Sequence, residues 1–279
     1  MKLGFITCVQ LGLSCMEAIY RVGAELSLVM TLPDDHARSK SGRVYLDDFC
    51  SQHAIPLIKS SHVNNPDVVE AIRSANLDWV FIIGWSQIAS TEILLAPKHG
   101  VLGIHPTLLP EGRGRAAVPW AILKSLDRTG VTLFKMDEGV DTGPIATQIE
   151  IQLSSNTTAS ELYDQVEAAH IELIEQVIPL ILQDHLILSE QNHDRATIWP
   201  GRKPEDGKIN LLGSVFEAER LVRAVTHPYP GAYYDHGNTR NIIWNAEIAS
   251  NDSAVKDPCL RFADGVLLIK NVSKHEIAS

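Results

Sequence analysis

Two short stretches of this 279-residue chain hold residue types suited to acid–base chemistry. The first runs Gly100-Val-Leu-Gly-Ile-His-Pro-Thr-Leu-Leu-Pro-Glu-Gly-Arg-Gly-Arg115, the second Asp137-Glu-Gly-Val-Asp-Thr-Gly143. His105 ends a β-rich run, Val101 to Ile104. Pro106 stops that run, because proline has no N–H for a ladder and a fixed φ. A histidine at the carboxyl end of a strand, followed by a loop punctuated by Gly and Pro, stands where open α/β sheets place ligand chemistry. The second stretch follows another strand-like run, Val131 to Met136, and carries Asp137, Glu138 and Asp141 between glycines. A segment that leaves the sheet and returns can bring His105 and Asp141 together, and such a pair can relay a proton and stabilise developing charge. Arg113 and Arg115 lie in the Gly-rich loop just beyond. Their planar forks suit a phosphate or carboxylate, and a solvated surface is the alternative.

Other chemistries lack their residues. The turn after the first apolar run reads Cys8-Val-Gln-Leu-Gly-Leu13 and has none of the glycine spacing that lets a backbone approach a pyrophosphate. No Gly-x-Ser-x-Gly or His-Glu-x-x-His occurs, so neither a serine triad nor a zinc hydrolase is indicated. Cys8, Cys15, Cys50 and Cys259 show no paired spacing, which predicts buried thiols, no disulfide framework and no metal site.

The pattern that must position these residues alternates strand and helix. Strands are predicted at Leu3–Thr7, Leu26–Thr31, Ile55–Ile58, Trp79–Ile83, Val131–Met136 and Ile145–Ile151. Helices are predicted at Leu13–Val22, Val44–His53, from Pro66 to about Ser74, Ala117–Leu126 and Ser160–Leu182. The polar stretch from Pro33 to Arg43, with Arg38, Lys40 and Arg43, reads as a solvated loop or as one that meets an anionic substrate. Beyond a Pro/Gly-punctuated crossing at Trp199–Gly207, a helix is predicted at Phe216–Val225. Short alternating runs follow at Asn241–Ile248, Cys259–Phe262 and Val266–Val272. The fold class is therefore α/β: a Rossmann-like, mostly parallel sheet domain followed by a small β-rich, OB-like C-terminal domain. Expected boundaries are 1–184 for the catalytic domain, 185–230 for a linker and helix, and 231–279 for a small β-barrel-like tail.

His105-Pro-Thr-Leu-Leu-Pro110, then Arg113-Gly-Arg115, then Gly139-Val-Asp-Thr-Gly-Pro144, resemble the formyltetrahydrofolate-dependent formyltransferase family. That family includes the glycinamide ribonucleotide, methionyl-tRNA and amino-sugar-nucleotide formyltransferases. The resemblance extends to the linker and tail, through Arg202-Lys-Pro-Glu-Asp-Gly207 and His227-Pro-Tyr-Pro-Gly-Ala232. It implies His105 and Asp141 as the catalytic pair. It implies 10-formyltetrahydrofolate as formyl donor, bound near Trp85, Ser86, Gln87, Glu138, Gly139, Val140 and Thr142. It implies an amine acceptor near Gly103, Thr107, Leu108, Leu109, Pro110, Arg113 and Arg115. The family signature is Asn-x-His-Pro-Ser-Leu-Leu-Pro, and its Asn falls on Gly103. An asparagine there could donate to the formyl oxygen as it becomes negative; glycine cannot. Thr107, Ser86 and Gln87 are the candidate replacement donors, and the change reads as an adaptation of an otherwise intact site.

Composition fits these expectations. Apolar residues make up 45% and charged residues 21%, as in a globular protein, and no apolar run reaches membrane-spanning length. Met1-Lys-Leu-Gly-Phe leads straight into a strand pattern, so the expected location is cytoplasmic. A formal net charge of −10 disfavours a nucleic-acid partner. The resemblance implies a small amine acceptor: the short tail and a pattern similar to the aminoarabinose-type members point first to an amino-sugar nucleotide, and methionyl-tRNA is second, disfavoured by charge and tail size, with homo-oligomerisation left open. Two competitors stand beside it: a non-enzymatic folate- or nucleotide-binding relative that lost catalysis at Gly103, and a hydrolase in which water replaces the amine.

Overall fold

Uninterrupted apolar runs form the centre of the main sheet, because strands covered on both faces have no polar alternation to show. The computed structural model describes residues 1–35, 42–250 and 258–277. In chain order the strands are β1 (Leu3–Ile6), β2 (Leu26–Thr31), β3 (Leu57–Lys59), β4 (Trp79–Ile82), β5 (Gly100–His105), β6 (Arg113–Gly114), β7 (Arg128–Lys135), β8 (Ile145–Gln152), β9 (Ile198–Trp199), β10 (Ala232–His236), β11 (Thr239–Ile248), β12 (Cys259–Phe262) and β13 (Gly265–Glu276). The helices are α1 (Gln10–Arg21), α2 (Asp47–Gln52), α3 (Pro66–Ser74), α4 (Thr91–Leu94), α5 (Ala117–Leu123), α6 (Ala159–Leu182) and α7 (Val215–Val225). The main sheet has the order β3-β2-β1-β4-β5-β7-β8. Its first five strands pair in parallel, and β5 pairs antiparallel with β7. A mostly parallel α/β sheet followed by an antiparallel β unit is the architecture the sequence predicts.

The chain divides into two compact units. One comprises Met1–Arg113, Gly130–Glu150 and Val166–Ile198; the other comprises Gly114–Thr129, Ile151–Gln165 and Trp199–Ser279. In the first, Ile6, Met30, Val68, Ile72, Val80, Ile82, Ile93 and Val101 form a buried cluster against which Trp85 and Met136 pack. In the second, β10-β11-β13-β12 form a four-stranded antiparallel sheet. Helix α7 starts on a capping box: Ser214 Oγ accepts from the Phe216 amide, and Glu217 reaches back to the Ser214 amide. Asp264 reinforces this start, accepting from Ser214 Oγ at 2.7 Å and from the Val215 amide at 2.9 Å.

Three local expectations need correction. The helix expected over Val44–His53 is confined to Asp47–Gln52. Residues just before it are drawn into extended pairing, with the Val44 amide on Cys8 O and a bridge between Val9 and Arg43. Helix α5 stops at Leu123 because Ser125 takes a left-handed φ of 52° and the Leu126 amide returns to Ala121 O, a C-terminal closure. Strand β10 was not foreseen. It pairs with β11 across the two-residue turn Gly237-Asn238, a local hairpin signal, with Gly237 at a φ of 59°. Arg38 and Lys40 lie outside the described residues. Arg43 is engaged: Nη1 donates to Thr31 Oγ1 and Nη2 to Leu32 O, each at 2.7 Å.

Helix α6 buries an imidazole. His170 is 2% exposed, and its Nδ1–H donates to Val166 O of the same helix at 2.7 Å. Burial, helped by the charge of nearby His105, pushes its pKa down to about 4. Unfolded chains therefore take up a proton at pH values where the folded chain does not. This leaves stability untouched above about pH 6.5 and erodes it as the pH falls from there toward 4. His170→Leu removes this proton uptake. Between pH 7 and pH 4.5 the parent should lose about 2 to 3 kcal/mol more than the variant, read from denaturant melts at both pH values.

Candidate active site

His105 is the last residue of β5 and is nearly fully buried. Its Nε2 lies 2.8 Å from Gly112 O. A carbonyl can only accept, so Nε2 carries a proton and Nδ1 is the nitrogen left to gain or lose one. Nδ1 faces Asp141 Oδ2 at 3.5 Å. That separation sustains electrostatic attraction but is loose for a hydrogen bond, which leaves Nδ1 room to meet a substrate atom. The sequence pairs these two residues, and the fold brings them together.

The loop after His105 is fixed by β7 and β8. Thr132 Oγ1 donates to Thr107 O at 2.6 Å and accepts from the Leu109 amide at 3.1 Å. Gln148 Nε2 donates to both Leu109 O and Thr132 Oγ1. Leu109 is buried, Leu108 and Pro110 are half-buried, and the Pro110 carbonyl accepts from the Thr197 amide. The Gly112 amide donates to Thr197 Oγ1 at 2.8 Å, so the carbonyl that holds His105 is itself anchored. Gly112 has a φ of 74°, which glycine adopts without strain.

Asp141 arrives by a longer route. Because β7 runs antiparallel to β5, Lys135 pairs with Leu102 and Thr132 with His105. The chain thus leaves β7 about 10 Å past His105 and must double back. Asp137 shapes the return, accepting from the Gly139 amide and from Thr142 Oγ1. Thr91 Oγ1 donates to Glu138 at 2.7 Å. Gly143 has no alternative, since a Cβ there would sit 1.8 Å from Lys135 O. Val140 is exposed at the tip of the loop. Trp85 is half-buried with Nε1 on Gln87 Oε1, Gln87 is tied to Ser61 O and the Val63 amide, and Ser86 is exposed.

The two arginines part company. Arg113 is 6% exposed, and its Nε and Nη2 donate to Gln191 Oε1 while Nη2 also meets His193 Nδ1. Arg115 is exposed and runs beside Gly201. Sequence reading had no signal for Gln191, Thr197 or His170, which are remote in the chain and belong to no motif. Gly112 was visible only as part of a Gly-rich loop.

The space at Gly103 is taken. An added Cβ would come within 3.1 Å of both Cγ and Sδ of Met136 and 3.5 Å of the Phe134 ring. Thr107 Oγ1, two residues beyond His105, is buried with no hydrogen-bond partner among the described residues, so an unused donor is present in the same loop. Gly103→Asn must expel the flexible Met136 thioether and should lower kcat/KM by about tenfold or more. Adding Met136→Ala should restore part of that loss. A tenfold gain from Gly103→Asn alone, measured on the same acceptor, would show that glycine there is a defect and not a fit.

The chain matches the family described as Formyl transferase over residues 17–178, and the Formyl transferase C-terminal domain over 202–277. It is 30% identical over 255 residues to the methionyl-tRNA formyltransferase of Clostridioides difficile (strain 630), covering 91% of this chain and 82% of that one. Its fold is similar to the N-formyltransferase of Helicobacter canadensis in complex with folinic acid and dTDP-3-aminofucose, with a TM-score of 0.74, 18% identity, and 98% and 100% of the two chains covered. It is also similar to the methionyl-tRNA formyltransferase of Clostridium thermocellum, with a TM-score of 0.63, 18% identity, and 99% of each chain covered. Both domain matches, in order and covering most of the sequence, establish that this chain belongs to the formyl transferase family and is a formyltransferase.

Proposed function

We propose that the chain transfers the formyl group of 10-formyltetrahydrofolate to the amine of an amino-sugar nucleotide, with His105 and Asp141 as the acid–base and electrostatic pair. The observation that carries this is the imidazole fixed through Nε2 on Gly112 O, with Nδ1 turned to Asp141. The attacking amine adds to the formyl carbon, and the carbonyl oxygen takes up negative charge. Protonated His105 stabilises that oxyanion, assisted by the Thr107 hydroxyl in place of the missing side chain at Gly103. The bond from the formyl carbon to the folate nitrogen then breaks. The proton lost by the amine reaches the departing nitrogen through the His105–Asp141 pair, which returns to its starting state.

Support for a folate donor comes from the H. canadensis enzyme, which shares this fold and was obtained with folinic acid and dTDP-3-aminofucose. The half-buried Trp85 with Gln87, and the Glu138–Thr142 segment, are the assigned donor-binding elements. Leu108, Leu109 and Pro110 are assigned to the acceptor side of the site. A net charge of −10 favours a small acceptor over a nucleic acid. Methionyl-tRNA is the second reading, favoured by the 30% identity to the C. difficile enzyme.

Purified protein with 10-formyltetrahydrofolate should be offered dTDP-3-aminofucose, other amino-sugar nucleotides and methionyl-tRNA, with products identified by mass. Formylated amino sugar is the expected product. Formylmethionyl-tRNA as the sole product would transfer the assignment to tRNA, and release of formate with every acceptor would make the protein a hydrolase. On the acceptor used fastest, His105→Ala and Asp141→Asn should each reduce kcat by about a hundredfold to ten-thousandfold with melting temperature maintained. Turnover near that of the parent in either variant would remove that residue from the reaction.

A further inference from the structure

The loop that carries Asp141 has a positioning problem that its own sequence does not solve. It leaves the sheet beside Leu102 and must return its carboxylate to His105, three residues further along β5. Asp141 itself sits at a φ of 54°, in the left-handed region that L-residues adopt at a cost. The bonds made by Asp137 and Glu138 shape the outer part of the loop, where the chain is exposed.

Gln191 reaches the inner part. It lies 50 positions away in sequence, is 5% exposed, and its Nε2 donates to two carbonyls of the turn: Asp141 O at 2.9 Å and Gly143 O at 2.6 Å. Its Oε1 accepts from Arg113 Nη2 at 2.6 Å and Nε at 3.2 Å. All four hydrogen-bonding positions of the amide are therefore filled. The order of the bonds has a direction. A buried guanidinium can only donate, so it fixes which end of the amide is oxygen, and the NH2 end is forced toward the carbonyls. The cation also polarises the amide and strengthens its N–H donors. Arg113 is held in turn by its backbone amide on Thr197 O, in the same segment that anchors Gly112 and hence His105. One buried network thus locates both members of the reacting pair.

We propose that Gln191, oriented by Arg113, is the positioning residue that sets the approach of Asp141 to His105. This rests on the reading of His105 and Asp141 as the reacting pair. It gives Arg113 a task other than holding an anionic substrate.

Gln191→Glu tests the idea without emptying the site. The new carboxylate keeps its pairing with Arg113, so the fold is retained, but it presents oxygen to two carbonyl oxygens and the turn must move. With the acceptor used fastest in the panel above and 10-formyltetrahydrofolate, kcat should fall by about thirty- to a hundredfold, while KM for donor and acceptor stays within about threefold. In an Asp141→Asn background the same substitution should change kcat by less than about threefold, because the group it positions is already disabled. A crystal structure of Gln191→Glu should show the separation of His105 Nδ1 from the Asp141 carboxylate lengthened, with β5 and β7 unmoved. Equal losses in both backgrounds, or an unmoved Asp141, would make Gln191 merely structural and overturn the inference. A parent-like kcat for Gln191→Glu beside a slow Asp141→Asn would overturn it alone, whereas a fast Asp141→Asn enzyme would overturn it together with the reading of the pair.

Discussion

An imidazole has two nitrogens, and the Gly112 carbonyl occupies one of them. That hydrogen bond decides the tautomer, aims Nδ1 at Asp141 and fixes the ring plane. The carbonyl can do this only because Gly112 takes a left-handed φ and its amide is held by Thr197. Everything nearby supports that arrangement. Thr132 and Gln148 hold the chain between His105 and Gly112, and neither is part of the motif.

The strand order sets the second condition. Parallel pairing of β4 with β5 puts Trp85 and His105 at the same end of the sheet, as open α/β folds require. Reversal at β7 sends the next loop out at the other end. The carboxylate must then be brought back by a turn with little local preference for its shape. Left-handed Asp141, the obligatory Gly143 and the four-bonded amide of Gln191 are the physical means. The neutral His170 fits the same scheme: a buried imidazole that stays uncharged adds no competing cation near His105.

Buried polar groups in this region are nearly all satisfied, which is costly to arrange and rigid once achieved. Thr107 Oγ1 stands apart as a buried hydroxyl without a partner among the described residues. An unsatisfied buried hydroxyl costs about 1 to 3 kcal/mol, and a substrate oxygen that accepts from it recovers part of that cost on binding. Gly103 and Met136 form the complementary feature, an apolar filling where a polar side chain could otherwise stand. Together they place an unused donor on the loop and a thioether where a side chain at 103 would stand.

The sequence alone determined the elements whose information is local. Apolar runs of strand length located β1, β2, β4 and β5, a Pro after His105 ended the strand, the spacing of apolar residues marked α1 and α6, and Asn65-Pro66-Asp67 marked the start of α3. It also named His105 and Asp141, because their residue types sit in motifs punctuated by Gly and Pro. Tertiary structure decided what depends on pairing over long separations. The length of α2 was set by the Val9–Arg43 bridge. Arg113 reads in sequence like a surface cation beside Arg115, yet the fold turns it inward onto Gln191. Gln191 has no signature because a single amide in a loop says nothing about which carbonyls it will meet. Hydrogen-bond partners fifty or eighty residues apart are chosen by where the strands carry the chain, and that choice is made only when the chain is folded.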